Sequence, residues 1–390
     1  MTSHDPHSFV SSLGSKLATR SRHVCFFLGA GVGRSCGLPD VGGLQDIVLE
    51  ALGDTDRTLL NNQLQNNNLE GALSRIRRIA NLISGEETVD GLTADSARDL
   101  DKSICRQIAR ALDIDVEDNY PVICLAAWLA RTSYHLPVEL FTVNYDLLLE
   151  DALETMRVPY FDGFIGAINA AFHTEFVEAL TGSPTETLPS FFVRLWKLHG
   201  SLNWIWNDNG HIVRIGQPAP NDLPAAIYPS DTKYDDSRRV PFLVLQDRFR
   251  RALNQPETLV LICGYSFSDD HLNEMIYDAA TRRERSEFIA FLYSDIPDAL
   301  ADRAKITPNL QIVSRTEAII GGARADWKEP DDPLPDIWSD GRCQLPDFTV
   351  FARYLARSMR HVHVQDNAIR ALLERALDQE NSQSQGDADA

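Results

Sequence analysis

Five apolar runs punctuate the chain: His23-Val-Cys-Phe-Phe-Leu28, Val138-Glu-Leu-Phe-Thr142, Phe191-Phe-Val-Arg-Leu-Trp-Lys-Leu198, Thr258-Leu-Val-Leu-Ile-Cys263 and Glu287-Phe-Ile-Ala-Phe-Leu-Tyr293. Their hydrophobicity is continuous rather than alternating, which is the pattern of strands buried on both faces, as in a parallel sheet. A shorter run, Leu310-Gln-Ile-Val313, reads as the last strand. Most runs stop at a glycine or polar turn and pass into helical periodicity. Strand, loop and helix in alternation predict an α/β fold with a doubly wound parallel sheet.

The texture changes over residues 42–135, where Leu, Ile and Ala recur at helical spacing among many polar residues and no strand stands out. This stretch reads as a helical insertion between two pieces of the sheet domain, 1–41 and 136–328. Residues 200–241 are rich in Gly, Pro, Asn and Asp, with a hairpin expected from Trp204 to Ile215 that turns at Asp208-Asn-Gly210. So long an excursion reads as a lid. A Pro- and Asp-rich surface crossing and two helices are expected over 329–378, and a disordered tail over 379–390.

With 390 residues and 44% hydrophobic composition, the chain can bury a large core. Its net charge of −19 repels nucleic acid, so direct DNA or RNA binding is not expected. The short basic stretches Arg75-Ile-Arg-Arg78 and Arg282-Arg-Glu-Arg285 read as solvated helix faces. The six cysteines, at 25, 36, 105, 124, 263 and 343, include no Cys-x-x-Cys pair. No zinc module and no metal site are therefore expected, and the usage suits a reducing cytoplasm. The first residues lack the charged start and apolar core of a secretory signal, and no run is long enough to cross a bilayer. The expectation is a soluble, cytoplasmic protein with no membrane partner.

Four motifs sit where runs end. Gly29-Ala-Gly-Val-Gly33 follows the first strand and precedes Leu38-Pro39-Asp40. Glycines there let a backbone approach a pyrophosphate, with helix-start N–H groups as donors, though such a turn can also serve only to pack a strand on a helix. In Thr142-Val-Asn-Tyr-Asp146, Asn144 and Asp146 have the period-2 spacing that points two side chains the same way, while Asp146 can also cap a helix beginning at Leu147. His199, in Trp196-Lys-Leu-His-Gly200, falls at a strand end, where a lone histidine is more often structural than catalytic. In Gly264-Tyr-Ser-Phe-Ser-Asp-Asp270, Ser266 or Ser268 can bind a phosphate or ribose, and Asp269 or Asp270 can cap a helix. Open α/β sheets bind ligands at the carboxyl ends of their strands, so four such loops converge on one crevice.

Taken in order, Gly29-Ala-Gly31 with Gly37-Leu-Pro-Asp40, Thr142-Val-Asn-Tyr-Asp146, Leu198-His-Gly200 and Gly264-Tyr-Ser-Phe-Ser-Asp269 resemble the signature of the sirtuin superfamily across residues 20–315. The likeness is strongest to the bacterial branch found in antiviral defence. It implies a Rossmann-like NAD-binding core, with Gly29, Ala30, Gly31 and Val32 along the pyrophosphate and Asp40 in the cofactor site. It further implies Asn144 and Asp146 at the nicotinamide riboside, His199 as general base, and Gly264 and Ser266 near the adenosine end. The pattern departs from protein deacylases in three places: Gly33 stands where they carry serine, Val41-Gly42 replaces Phe-Arg, and the four-cysteine zinc ribbon is missing. The resemblance therefore implies an NAD hydrolase giving ADP-ribose and nicotinamide. The alternatives are a deacylase, an ADP-ribosyl transferase or cyclase, and a non-enzymatic NAD sensor. It also implies a homo-oligomeric, NAD-depleting effector of antiphage defence, partnered by a HerA-type hexameric ATPase or, alternatively, a short Argonaute.

Overall fold

The computed structural model describes residues 3–358 apart from 66, 115, 117–118, 180–190, 221–224, 228–239 and 333. Helix α1 (Pro6–Ala18) leads to β1 (Val24–Leu28) and the short α2 (Ala30–Ser35). Five helices follow: α3 (Val41–Ala51), α4 (Asp54–Leu64), α5 (Leu69–Leu82), α6 (Ala94–Leu112) and α7 (Tyr120–Leu129). After β2 (Glu139–Thr142) come α8 (Leu148–Thr155), β3 (Tyr160–Phe161), β4 (Phe164–Ile165), β5 (Ala170–Phe172) and α9 (Thr174–Glu178). Strands β6 (Val193–Lys197), β7 (Gly200–Trp206), β8 (Ile212–Arg214) and β9 (Ala225–Ile227) precede α10 (Phe242–Leu253). The remainder is β10 (Leu259–Cys263), α11 (Asp270–Arg282), β11 (Glu287–Leu292), α12 (Asp298–Ile306), β12 (Leu310–Ser314), β13 (Glu317–Ile320), β14 (Ala323–Asp326) and α13 (Phe348–Arg357).

Among the described residues, nine strands form the main sheet in the order β14-β13-β12-β11-β10-β1-β2-β6-β3. From β12 to β3 all pairings are parallel. The chain leaves β1 toward β2 on one side and later returns to β10 on the other. The strand order thus reverses at β1, and a crevice opens at the carboxyl ends of β10, β1 and β2. Leu310-Gln-Ile-Val313 is not the last strand, because β13 and β14 continue the sheet antiparallel through a turn at Gly321 and Gly322, both with positive φ. Two left-handed positions suit a tight hairpin, and only glycine adopts them without strain.

Two cores sandwich the sheet. Phe26, Leu28, Leu140, Leu195 and Leu261 face one side with α1, α7, α8 and α13, while Phe27, Phe141, Trp196, Val260 and Ile262 face the other with α10, α11 and α12. A third core is separate and belongs to α3–α6. There Leu69, Leu73, Ile76 and Ala80 form the inward stripe of α5, which is capped by Asn68 accepting from the Gly71 N–H. Helix α7, grouped with the insertion in the sequence reading, packs instead in the sheet's first core. Every residue from Pro121 to Leu129 is buried, and a helix apolar all round belongs inside. The insertion touches the sheet domain through Tyr145 and Leu202, which join its core.

A second sheet, β4-β5-β8-β7-β9, is antiparallel. It contains the hairpin around Asp208-Asn-Gly210, with Trp206 opposite Ile212. At its base Asp162 is buried, which pushes its carboxyl up to about 6 against the opposing pull of Arg214. The folded protein then binds this proton more tightly than the unfolded chain. The resulting stability is full below pH ~4 and is lost as pH rises through about 6. Asp162→Asn keeps an oxygen for the Phe164 N–H. The expected outcome is a difference in melting temperature between variant and parent that changes with pH only across that window, as read by thermal melts from pH 4 to 7. A constant difference would show that Asp162 does not titrate there.

No helix among the described residues is long and apolar enough to cross a membrane. The second helix expected before Asp378 and the tail at 379–390 lie outside the described residues, as does much of the expected lid between β9 and α10.

Candidate active site at the carboxyl edge of the sheet

The glycines after β1 and β10 are explained first by each other. A Cβ on Gly29 would lie 2.5 Å from the Gly264 carbonyl oxygen, and one on Gly31 would lie 2.7 Å from the Gly264 Cα. Gly264 itself is left-handed, with φ of 63°. The two loops cross backbone to backbone, and no side chain fits between them. They are also hydrogen-bonded: Gly29 N–H donates to Cys263 O (3.0 Å) and Gly31 N–H to Gly264 O (2.8 Å), while Val32 N–H donates to Gly29 O (3.0 Å). Of the N–H groups at this strand end and helix start, those of Gly29, Gly31 and Val32 already have acceptors. They are engaged within the protein, and what Gly29 and Gly31 offer a ligand is a bare backbone surface. Ala30 begins α2.

Beside this crossing, β2 ends in the Asn144 loop. Thr142 Oγ1 donates to Leu28 O (3.0 Å) and accepts from the Asn144 N–H (3.0 Å), and Asn144 Nδ2 donates to Gly29 O (3.1 Å). Asn144 is thus tied to the glycine loop through its amide nitrogen. Asp146 is buried and its carboxyl is raised by that burial, with Lys197 pulling the other way. Asp146 Oδ1 accepts from Leu148 N–H (3.1 Å), but α8 begins at Leu148 and its N-cap position is Leu147, so Asp146 lies one residue before the cap it was expected to be. A Cβ on Gly33 would lie 3.3 Å from Leu38 Cδ1 and 3.4 Å, an ordinary contact, from Asp146 Oδ2.

His199 occupies the turn between β6 and β7, where Gly200, at φ of 96°, lets the chain leave one sheet for the other. Its ring is 4% exposed, and neither nitrogen has a hydrogen-bond partner among the described residues. The nearest charged group is Asp269, with Oδ2 3.4 Å from Nε2. A buried imidazole left without partners is costly unless a ligand completes it. This is the observation that lifts His199 above a structural histidine.

The loop after β10 is held by residues the sequence reading did not single out. Asn273 Nδ2 donates to Phe267 O (2.8 Å), and Tyr265 Oη donates to Asn273 Oδ1 (2.9 Å) while its ring packs edge-on against Phe27. Phe267 is left-handed at φ of 56°, an uncommon state for a bulky residue that such anchoring enforces. Ser266 Oγ donates to Ser268 Oγ (3.0 Å). Gly31, Gly264 and Ser266 line a cavity of about 380 Å³, whose outer wall is Tyr293 and Ser294 after β11 together with the segment 346–349 at the start of α13. Asp40 caps α3 through the Gly43 N–H (2.9 Å) and reaches the cavity only through its ion pair with Arg34 (3.2 Å).

Lys197 was also missed, although a lysine inside an apolar strand is a signal for a paired buried charge. Its ammonium donates to the carbonyls of Asp146 and Tyr145 and to Glu150 Oε1 (2.9 Å), clamping the Asn144–Asp146 loop from below. His23, Cys25 and Glu139, at the opposite end of the strands, are close enough together to hold a metal ion. The positive charge there is already supplied by Arg248, which donates to both Glu139 oxygens (2.7 and 2.8 Å).

The loops of β1, β2, β6 and β10 thus meet on one edge. The cavity lies toward β11, and the Asn144, Asp146 and His199 side chains come from the β2–β6 side. A family model described as SIR2-like domain matches residues 138–312, from the approach to β2 into β12. No curated protein matches the chain. The match encloses Asn144, Asp146, His199, Gly264, Ser266 and Asp269. On a mostly parallel, Rossmann-like sheet with no zinc ribbon evident among the described residues, residues 138–312 are thus similar to a SIR2-like domain.

Proposed function

We propose that the protein is an NAD glycohydrolase, which cleaves the nicotinamide–ribose bond with water to give ADP-ribose, nicotinamide and a proton. The observation that carries this reading is His199, buried at the strand edge with neither ring nitrogen hydrogen-bonded among the described residues and Asp269 Oδ2 3.4 Å from Nε2. The cavity beside Gly31, Gly264 and Ser266 takes the adenosine end. Asp146 and Asn144 hold the nicotinamide riboside and order the attacking water. The glycosidic bond breaks with its electron pair leaving on the nicotinamide nitrogen. The site's task is then to orient the substrate, exclude solvent and stabilise positive charge at the anomeric carbon, for which the Asp146 carboxylate is the available anion. As the water oxygen bonds to that carbon, His199 takes the proton it loses and later returns it to solvent. The sequence lacks the four-cysteine zinc ribbon that the resemblance associates with acyl-peptide binding, which favours water as acceptor.

The test is incubation of the purified protein with NAD, with and without an acyl-lysine peptide, and mass analysis of the products. ADP-ribose formed without peptide is the expected result. Nicotinamide release that requires the peptide would make the protein a deacylase, and a cyclic or transferred ADP-ribose would identify a different acceptor. The wider role as NAD-depleting effector of a defence complex, homo-oligomeric and partnered by a HerA-type hexameric ATPase, rests on the sequence resemblance. A monomer by light scattering at micromolar concentration would count against it.

A further inference from the structure

The geometry points to Asp269 as the positioning residue for His199, accepting the Nε2–H of the ring and leaving Nδ1 as the nitrogen that takes up the proton. This assignment rests on the hydrolase reading given above for its consequence, but not for its geometry. Asp269 Oδ2 lies 3.4 Å from His199 Nε2, with the two side chains 9% and 5% exposed. The other carboxylate oxygen has separate work: Oδ1 caps α11, accepting from His271 N–H (3.0 Å) and Leu272 N–H (3.2 Å). One side chain therefore closes a helix with one oxygen and turns the second toward the imidazole.

Capping alone does not call for this residue type, since Asn or Ser caps a helix as well as Asp does. An imidazole that must donate from one nitrogen and accept at the other is served best by an anionic acceptor. The carboxylate selects the tautomer and then pairs with the imidazolium once the proton arrives. The backbone around Asp269 is held accordingly. Tyr265 Oη lies 3.3 Å from Asp269 O while donating to Asn273 Oδ1, and the left-handed Phe267 is pinned through Asn273, so the backbone is held, and the two bonds accepted by Oδ1 hold the carboxylate on it. A contact of 3.4 Å is loose for a hydrogen bond, as catalytic contacts often are before substrate closes the site.

In the reaction, the water proton moves to His199 Nδ1 while the Nε2–H stays directed at Asp269 Oδ2. The water oxygen bonds to the anomeric carbon, and nicotinamide leaves with the bonding pair. No further reactant is needed.

The experiment reads the ring directly. Protein labelled with ¹⁵N-histidine, with His199 assigned by its loss in His199→Ala, is expected to show Nε2 protonated and Nδ1 bare in the neutral ring. Asp269→Asn and Asp269→Ser both retain a capping oxygen. Both should melt near the parent temperature, shift the ring toward the other tautomer, and lower kcat at least about tenfold with little change in KM for NAD. A parent ring protonated on Nδ1, or a tautomer unchanged in both variants, would overturn the assignment whatever the activity. If the parent protein shows the expected tautomer yet cleaves no NAD, the hydrolase reading fails and the Asp269–His199 pairing stands.

Discussion

Replacing His199 with alanine is expected to lower NAD cleavage by a factor on the order of 10²–10⁴, the usual contribution of a positioned general base. The effect should fall on kcat, because the cavity proposed for the adenosine end is lined by Gly31, Gly264 and Ser266 and not by His199. The loss of fold stability should be small beside the loss of rate, since the ring's polar contact among the described residues is the 3.4 Å approach of Asp269 Oδ2, whose other oxygen stays bonded to the start of α11. Asn144→Ala offers a useful contrast. It also severs the Nδ2 bond to the Gly29 carbonyl, so a loss of NAD affinity should accompany its loss of rate. Product mass analysis and thermal melts on the two variants separate these effects. A folded His199→Ala protein with full activity would remove the mechanism.

The largest expected loss of stability lies at the other end of the strands. Arg248 on α10 donates to both oxygens of Glu139, which also binds His23 Nε2 (2.9 Å) and the Trp196 indole N–H (2.7 Å), and the Glu139 side chain is wholly buried. Arg248→Met leaves that carboxylate charged and without its cation, a change that costs about 3–5 kcal/mol in comparable buried pairs. Glu139→Gln combined with Arg248→Met should recover much of the loss, because the desolvated charge is gone. Burial would raise the Glu139 carboxyl, but the Arg248 charge and the His23 contact outweigh it and hold the group well below the usual carboxylate range. A depressed folded-state pKa means that the stability from this group is present above the unfolded value near 4.5 and is lost as pH falls below it. Parent and double variant, compared by denaturant titration from pH 7 to pH 3, should therefore converge in acid. Equal stability of parent and Arg248→Met at pH 7 would show that the network contributes little. The network joins β2, β6 and the residue that leads into β1 to α10, so its loss should also loosen the strands that carry Asn144 and His199 at their far ends.

Much of this organisation was legible in the chain. Continuous apolar runs such as Thr258-Leu-Val-Leu-Ile-Cys263 mark strands buried on both faces, and each ends at a glycine or polar residue because the backbone must emerge there. The chemistry of an open α/β sheet is confined to those ends, so Asn144, Asp146, His199 and Ser266 could be nominated from position and residue type alone. The errors have local causes. Tyr-Pro-Val-Ile-Cys-Leu-Ala-Ala-Trp-Leu, the sequence of α7, is apolar all round and signals a helix of the main core, but its polar neighbours on both sides obscured it. Glu317–Ile320 and Ala323–Asp326 are too short for periodicity to register.

Periodicity, turn chemistry and residue type are properties of neighbours along the chain. They were enough for the fold class, the strand-end motifs and the absence of paired cysteines. Which side chains meet depends on strand order and on loop crossings, and these arise from contacts between segments remote in sequence. The sheet reverses at β1, and so the loop after β10 lies against the one after β1, where Gly264 fills the space that a side chain on Gly29 or Gly31 would need. The same crossing turns Asp269, readable beforehand only as a helix cap, toward His199. Folding likewise engaged the N–H groups of Gly29 and Gly31 with Cys263 O and Gly264 O on the β10 side, and that of Val32 with Gly29 O in its own loop, because a buried backbone donor must find an acceptor.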